Sequence, residues 1–103
     1  MENTHLLELQ VSSHEEEIIS KVKDTIKSGD IRELPRHRAD VVTILGIAAS
    51  VVKLLSDLLD LYKKIKSKEI KVPIVVKNIE GESLDLANTT EKDIEQYVSR
   101  LEK

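Results

Sequence analysis

Apolar and polar residues alternate at the start of the chain. Leu7, Leu9 and Val11 fall on one face of an extended segment, with Glu8 and Gln10 opposite, which predicts a half-buried strand over His5 to Val11. The period then changes. Ile18, Ile19, Val22 and Ile26 recur at helical spacing after Ser12-Ser13, and both Ser12–Glu15 and Ser13–Glu16 fit a capping box. Glu15, Glu16 and Glu17 suit the positive end of a helix dipole, and Gly29 suits a left-handed C-cap. A helix is predicted from about His14 to Ser28. Gly29 to Arg38, with Pro35 inside it, reads as irregular.

The next pattern predicts a long helix, starting between Pro35 and Asp40 and running to about Ser67. Val41, Ile44, Ala48, Val51, Leu55, Leu58, Tyr62 and Ile65 alternate three- and four-residue steps, an a/d register. A second stripe of Val42, Leu45, Ala49, Val52 and Leu59 widens the apolar face of its first half. Gly46, Ala48, Ala49 and Ser50 form a small-residue window that would let another backbone approach closely. Beyond it, Ile70, Val72, Ile74 and Val76 alternate as a strand, with Pro73 suited to an edge. Asn78-Ile79-Glu80-Gly81 is turn chemistry, and Leu84 and Leu86 mark the returning strand. Thr90 and Asp93 fit a T-x-x-D cap on a last helix carrying Ile94, Tyr97, Val98 and Leu101. The order is β-α-α-β-β-α. The expected fold is a single α+β domain spanning residues 1–103, with a three-stranded, mostly antiparallel sheet packed by a long central apolar helix and two shorter ones.

Composition narrows the chemistry. The chain holds 13 Leu, 11 Ile and 10 Val among 103 residues, enough for one core. Tyr62 and Tyr97 are its only aromatic residues, too few for a base-stacking platform. A formal charge of −3 argues against a general nucleic-acid binder. With no cysteine, disulfides and thiolate chemistry are excluded. His5, His14 and His37 lack metal-ligand spacing, and Gly29, Gly46 and Gly81 build neither a P-loop nor a dinucleotide fingerprint. Asp57 and Asp60, one helical turn apart, read as the wet edge of an amphipathic helix. No cofactor and no enzymatic activity are expected. The N-terminal residues lack the charged and apolar regions of a secretory signal, so a cytoplasmic protein is expected.

Two features remain for binding. Arg32, Arg36 and Arg38, with His37, form a basic patch before the long helix and are a candidate anion site. The long helix itself has more apolar surface than the other elements can cover, which points to self-association or partner docking, with Val51, Leu55, Leu58 and Tyr62 as contact residues. A rival reading puts residues 39–62 on or in a membrane. Its longest charge-free run, Val41 to Val52, is shorter than the roughly 20 residues a span needs, and Lys63, Lys64, Lys66, Lys68 and Lys71 would form the anchoring flank.

The order of parts resembles the effector-associated constant component family of bacterial conflict systems over most of the chain, most strongly from Asp40 to Leu101. The likeness rests on an apolar helix (VVTILGIAASVVKLLSDLLDLYKK), a strand (IKVPIVVKN), a turn, a strand (ESLDL) and a helix opened by T-E-K-D-I-E-Q-Y. That resemblance implies a non-enzymatic adaptor that joins an NTPase or sensor to an effector such as a caspase-like protease. It carries over no functional residue, because the family motif is a packing pattern.

Overall fold

A computed structural model describes residues 4–13, 15–26, 30–34 and 42–102. Strand β1 (His5–Val11) leads to helix α1 (Glu16–Thr25), then strands β2 (Asp30–Leu34) and β3 (Thr43–Ala49). Helix α2 (Val51–Lys66), strands β4 (Ile74–Asn78) and β5 (Ser83–Asp85), a 3-10 turn (Leu86–Asn88) and helix α3 (Glu91–Ser99) follow. The chain is α+β, as its patterning predicts, but the sheet has five strands in the order β2-β3-β1-β4-β5, not three. Every neighbouring pair is antiparallel.

The expected long helix is two elements. Its first part is β3, at the heart of the sheet, and only Val51–Lys66 is helical. Residues 43–49 are apolar or small at nearly every position, so a helical step can be read through them as readily as an alternation. Thr43, Ile44 and Ile47 are β-branched and Gly46 is a poor helix former, which favours the strand. Thr43, Leu45, Ile47 and Ala49 point into the core, while Ile44, Gly46 and Ala48 face the other way. Ser50, in extended conformation, separates strand from helix. The small-residue window therefore lies mostly on a strand.

The second added strand, β2, arises within the stretch expected to be irregular. Ile31 faces the helices and Leu34 the opposite side, so its apolar residues share no face and leave no period to read. The predicted capping box at Ser13–Glu16 is also replaced. Ser13 Oγ accepts from the Glu15 N–H at 3.0 Å, and Glu15 is the N-cap without a side-chain cap bond. The predicted C-cap at Gly29 lies outside the described residues. At α3 the cap forms as expected: the Thr90 hydroxyl accepts from the Asp93 N–H at 3.2 Å and the Asp93 carboxylate from the Thr90 N–H at 3.4 Å.

Each helical connection skips one strand. β3 lies between β1 and β2, and β1 lies between β3 and β4, so two split βαβ units interleave. This is the element and strand order of the ferredoxin-like plan, extended by β5 and α3. Leu7, Leu9, Val11, Leu45, Ile47, Ile74 and Val76 of the sheet form one core with Ile19 and Val22 of α1, Leu54, Leu58 and Leu61 of α2, and Ile94, Tyr97 and Val98 of α3. All three helices thus pack on one face. The Thr43 hydroxyl donates to the Ser13 carbonyl at 2.7 Å, which pins the start of β3 to the end of β1. Tyr97 Oη donates to the Glu82 carbonyl at 2.8 Å and anchors α3 to the turn between β4 and β5.

Candidate interaction surfaces

The pleat sends alternate residues of every strand away from the helices. By register, one row of this second face reads Asp30, Ala48, Leu6; the next reads Arg32, Gly46, Glu8, Lys77, Ser83; the third reads Leu34, Ile44, Gln10, Val75, Asp85. No helix covers it among the described residues. It is neither a core face nor a fully polar one. Leu6 is 57 % exposed and Ile79, just past the end of β4, is 82 % exposed. Ile44, Ala48, Val75 and Leu34 are half-buried.

Gly46 leaves a dimple in the middle of this face. A Cβ built there would stand 3.5 Å from the Leu34 side chain, which leans over it from β2. Around the dimple a shallow cavity of about 280 Å³ is lined by Leu6, Glu8, Leu34, Gly46, Lys77 and Ile79, with Leu7, Ile47 and Asn78 at its floor and end. Its walls are apolar with one acid and one base, standing opposite each other as Glu8 and Lys77 in the register. Such a surface suits the side chain of another polypeptide.

The residues put forward for contact on α2 lie elsewhere. Leu58 is 1 % exposed and belongs to the core, while Val51, Leu55 and Tyr62 are half-buried and packed against it. α2 leaves only Val52 open among its large apolar residues, at 71 % exposure in its first turn. Leu6 and Ile79 line the same shallow cavity on the open face, whereas Val52 lies on α2, which packs on the other face of the sheet.

Arg32 is exposed on β2; Arg36, Arg38 and His37 lie outside the described residues, as does His14. Asp57 is buried at 3 % and Asp60 is exposed. Both line an open cleft between α1 and α2, together with Lys23, Asp24, Lys63 and Lys64. Acids and bases alternate in that cleft, so it presents no strong field of either sign. Among the described residues no group of three or more His, Asp or Glu side chains could hold a metal ion.

The Tyr97 hydroxyl departs from its ordinary range. Burial pushes the Tyr97 hydroxyl up to about 12, the nearby Glu82 carboxylate adds to the rise, and Arg100 opposes it. Arg100 also bridges Glu82 at 3.2 Å and lies over the Tyr97 ring at 5.9 Å. This trio fastens the C-terminal helix to the hairpin turn. No helix among the described residues is long and apolar enough to cross a membrane. No family model, curated protein or solved structure matches this chain.

Proposed function

We propose that the chain is a non-enzymatic adaptor module of the cytoplasm that docks a partner protein on the uncovered face of its sheet. The observation that supports this reading is the exposure of Leu6 and Ile79 beside the dimple over Gly46, on a face without a helix among the described residues. Water-exposed apolar area of this kind is stabilised when a partner covers it, at about 25 cal/mol per Å². The sheet face takes over the role expected of the α2 stripe, which the core already occupies through Leu58. By its resemblance to the effector-associated constant components, the partner is an NTPase or an effector protease. The ferredoxin-like plan does not bear on this choice, because it serves many unrelated functions.

Calorimetry between the full chain and such an NTPase or protease tests the reading. Wild type is expected to bind, whereas Leu6→Glu and Ile79→Glu, on exposed positions that leave the core intact, are expected to fold normally and lose binding. Variants that bind as wild type does, or a wild-type chain that gives no heat with either component, would overturn it.

A further inference from the structure

We propose that two copies of the chain join along β2, in an antiparallel register centred on Ile31, to make one continuous ten-stranded sheet. This edge borders the partner-docking face, to which Asp30 and Arg32 also belong by register, but the dimer does not rest on that reading.

Among the described residues β2 is an outer strand of the sheet, paired with β3. Among the described residues no strand lies on its other side, so the outward N–H and C=O groups of Asp30–Leu34 offer a template for a further strand. The opposite edge is a poorer template. β5 runs directly into a 3-10 turn. Its Asp85 carboxylate already accepts from the Ala87 N–H at 3.0 Å and from Asn88 Nδ2 at 2.8 Å.

Charge selects both the occupant and the register. A two-fold axis normal to the sheet passes through one residue of β2 and pairs residues of the same face. Centred on Arg32, it would set Arg32 against Arg32 of the second copy. Centred on Glu33, it would set two glutamates together. Centred on Ile31, it sets Ile31 against Ile31 on the helix side, and Asp30 against Arg32 twice on the open side. Asp30 and Arg32 are exposed and form no ion pair among the described residues, while Glu33 is bridged to Lys23 at 3.8 Å. Of the Ile31-, Arg32- and Glu33-centred registers the first is the self-complementary one, pairing Asp30, Ile31 and Arg32 of each copy, and a second copy of this chain is the strand that fits it. The pairing closes as a dimer and leaves both open sheet faces on the same side.

Sedimentation velocity of the full chain over the micromolar range tests this by charge exchange. Arg32→Asp alone and Asp30→Arg alone place like charges opposite each other, and each is expected to weaken the dimer about tenfold or more, with unchanged circular dichroism. The double variant Asp30→Arg/Arg32→Asp restores the pairing, and so does an equimolar mixture of the two single variants. Because the chain has no cysteine, Ile31→Cys provides a register ruler. Opposed Cα atoms in an antiparallel pair lie about 4.5–5.5 Å apart, within disulfide reach. Ile31→Cys is expected to form a covalent dimer on oxidation and Arg32→Cys is not. A chain that stays monomeric throughout, a dimer indifferent to the single charge changes, a mixture that fails to restore it, or open-ended polymers built by β2 on β5 would each overturn the proposal. Leu6→Glu is expected to leave the dimer mass unaltered while abolishing partner binding, which separates failure of one reading from failure of the other.

Discussion

Truncating Leu58 separates a core role from a contact role for the α2 stripe. The side chain is 1 % exposed, set between Leu54 and Leu61, each fully buried against the sheet. Leu58→Ala removes three carbons, worth roughly 2.4 kcal/mol at about 0.8 kcal/mol each. The cavity left beneath α2 brings the total to about 3–5 kcal/mol, since a helix held by neighbours on both sides collapses only partly. A domain of this size has about 5–15 kcal/mol in all, so the variant stays folded with a reduced margin. At about 4–8 °C per kcal/mol the melting temperature falls by well over 10 °C. Urea unfolding followed by circular dichroism measures the loss as a lower midpoint at unchanged slope. Val52→Ala, at an exposed position of the same helix, is the control and is expected to change stability by no more than about 0.5 kcal/mol. A Leu58→Ala cost below about 1 kcal/mol, or loss of self-association without loss of stability, would refute the core assignment.

Three further outcomes are expected. Lys68 holds φ at +68° just past the C-terminus of α2, so Lys68→Gly relieves a left-handed side-chain clash and gains about 1 kcal/mol in urea unfolding. Gly46→Ala places a methyl in ordinary contact with Leu34 at 3.5 Å and gains about 0.4–1 kcal/mol by restricting the unfolded chain; the same methyl fills part of the dimple and is expected to weaken partner binding in calorimetry. Tyr97 is protonated in both states below pH 10, the ordinary value for tyrosine; between pH 10 and its folded value of about 12 the unfolded state loses the proton first. Stability conferred by the neutral hydroxyl is therefore full below pH 10 and is lost progressively as the pH rises toward 12, a dependence that Tyr97→Phe is expected to remove from pH-resolved urea midpoints.

The elements with one clean period were legible in the chain. β1 alternates strictly, α1 carries Ile19 and Val22 on one face with Ile26 buried just past its end, and α3 announces itself through Thr90 and Asp93, whose reciprocal cap is present. The turn after β4 was legible too: Asn78 Oδ1 accepts from the Glu80 and Glu82 N–H groups, and Gly81 takes φ +90°. β3 was not legible, for a physical reason. Its open face carries Ile44, Gly46 and Ala48, so neither side of the strand is polar, and the apolar run joins Val51 and Val52 without a break. Burial of one face is a tertiary fact that such a run does not encode. β2 escaped notice because Asp30, Arg32 and Glu33 look like a solvated loop, although charge is what a sheet edge tolerates. Two of the five strands that build the candidate surface, β2 and β3, thus lack a readable period. Arg32 stands out in the sequence for its charge, and in the proposed dimer that charge meets the Asp30 carboxylate of a second copy.

The placement of Thr43–Ala49 as a strand between β1 and β2 turns α2 inward and leaves the second sheet face open. Backbone NMR of the full chain tests it directly. Extended Cα and Cβ shifts over residues 43–49, with cross-strand NOEs linking Leu45 to Leu9 and Ile47 to Ile31, are the predicted result. Helical shifts through the same residues, continuous into Val51 with i to i+3 NOEs, would contradict it.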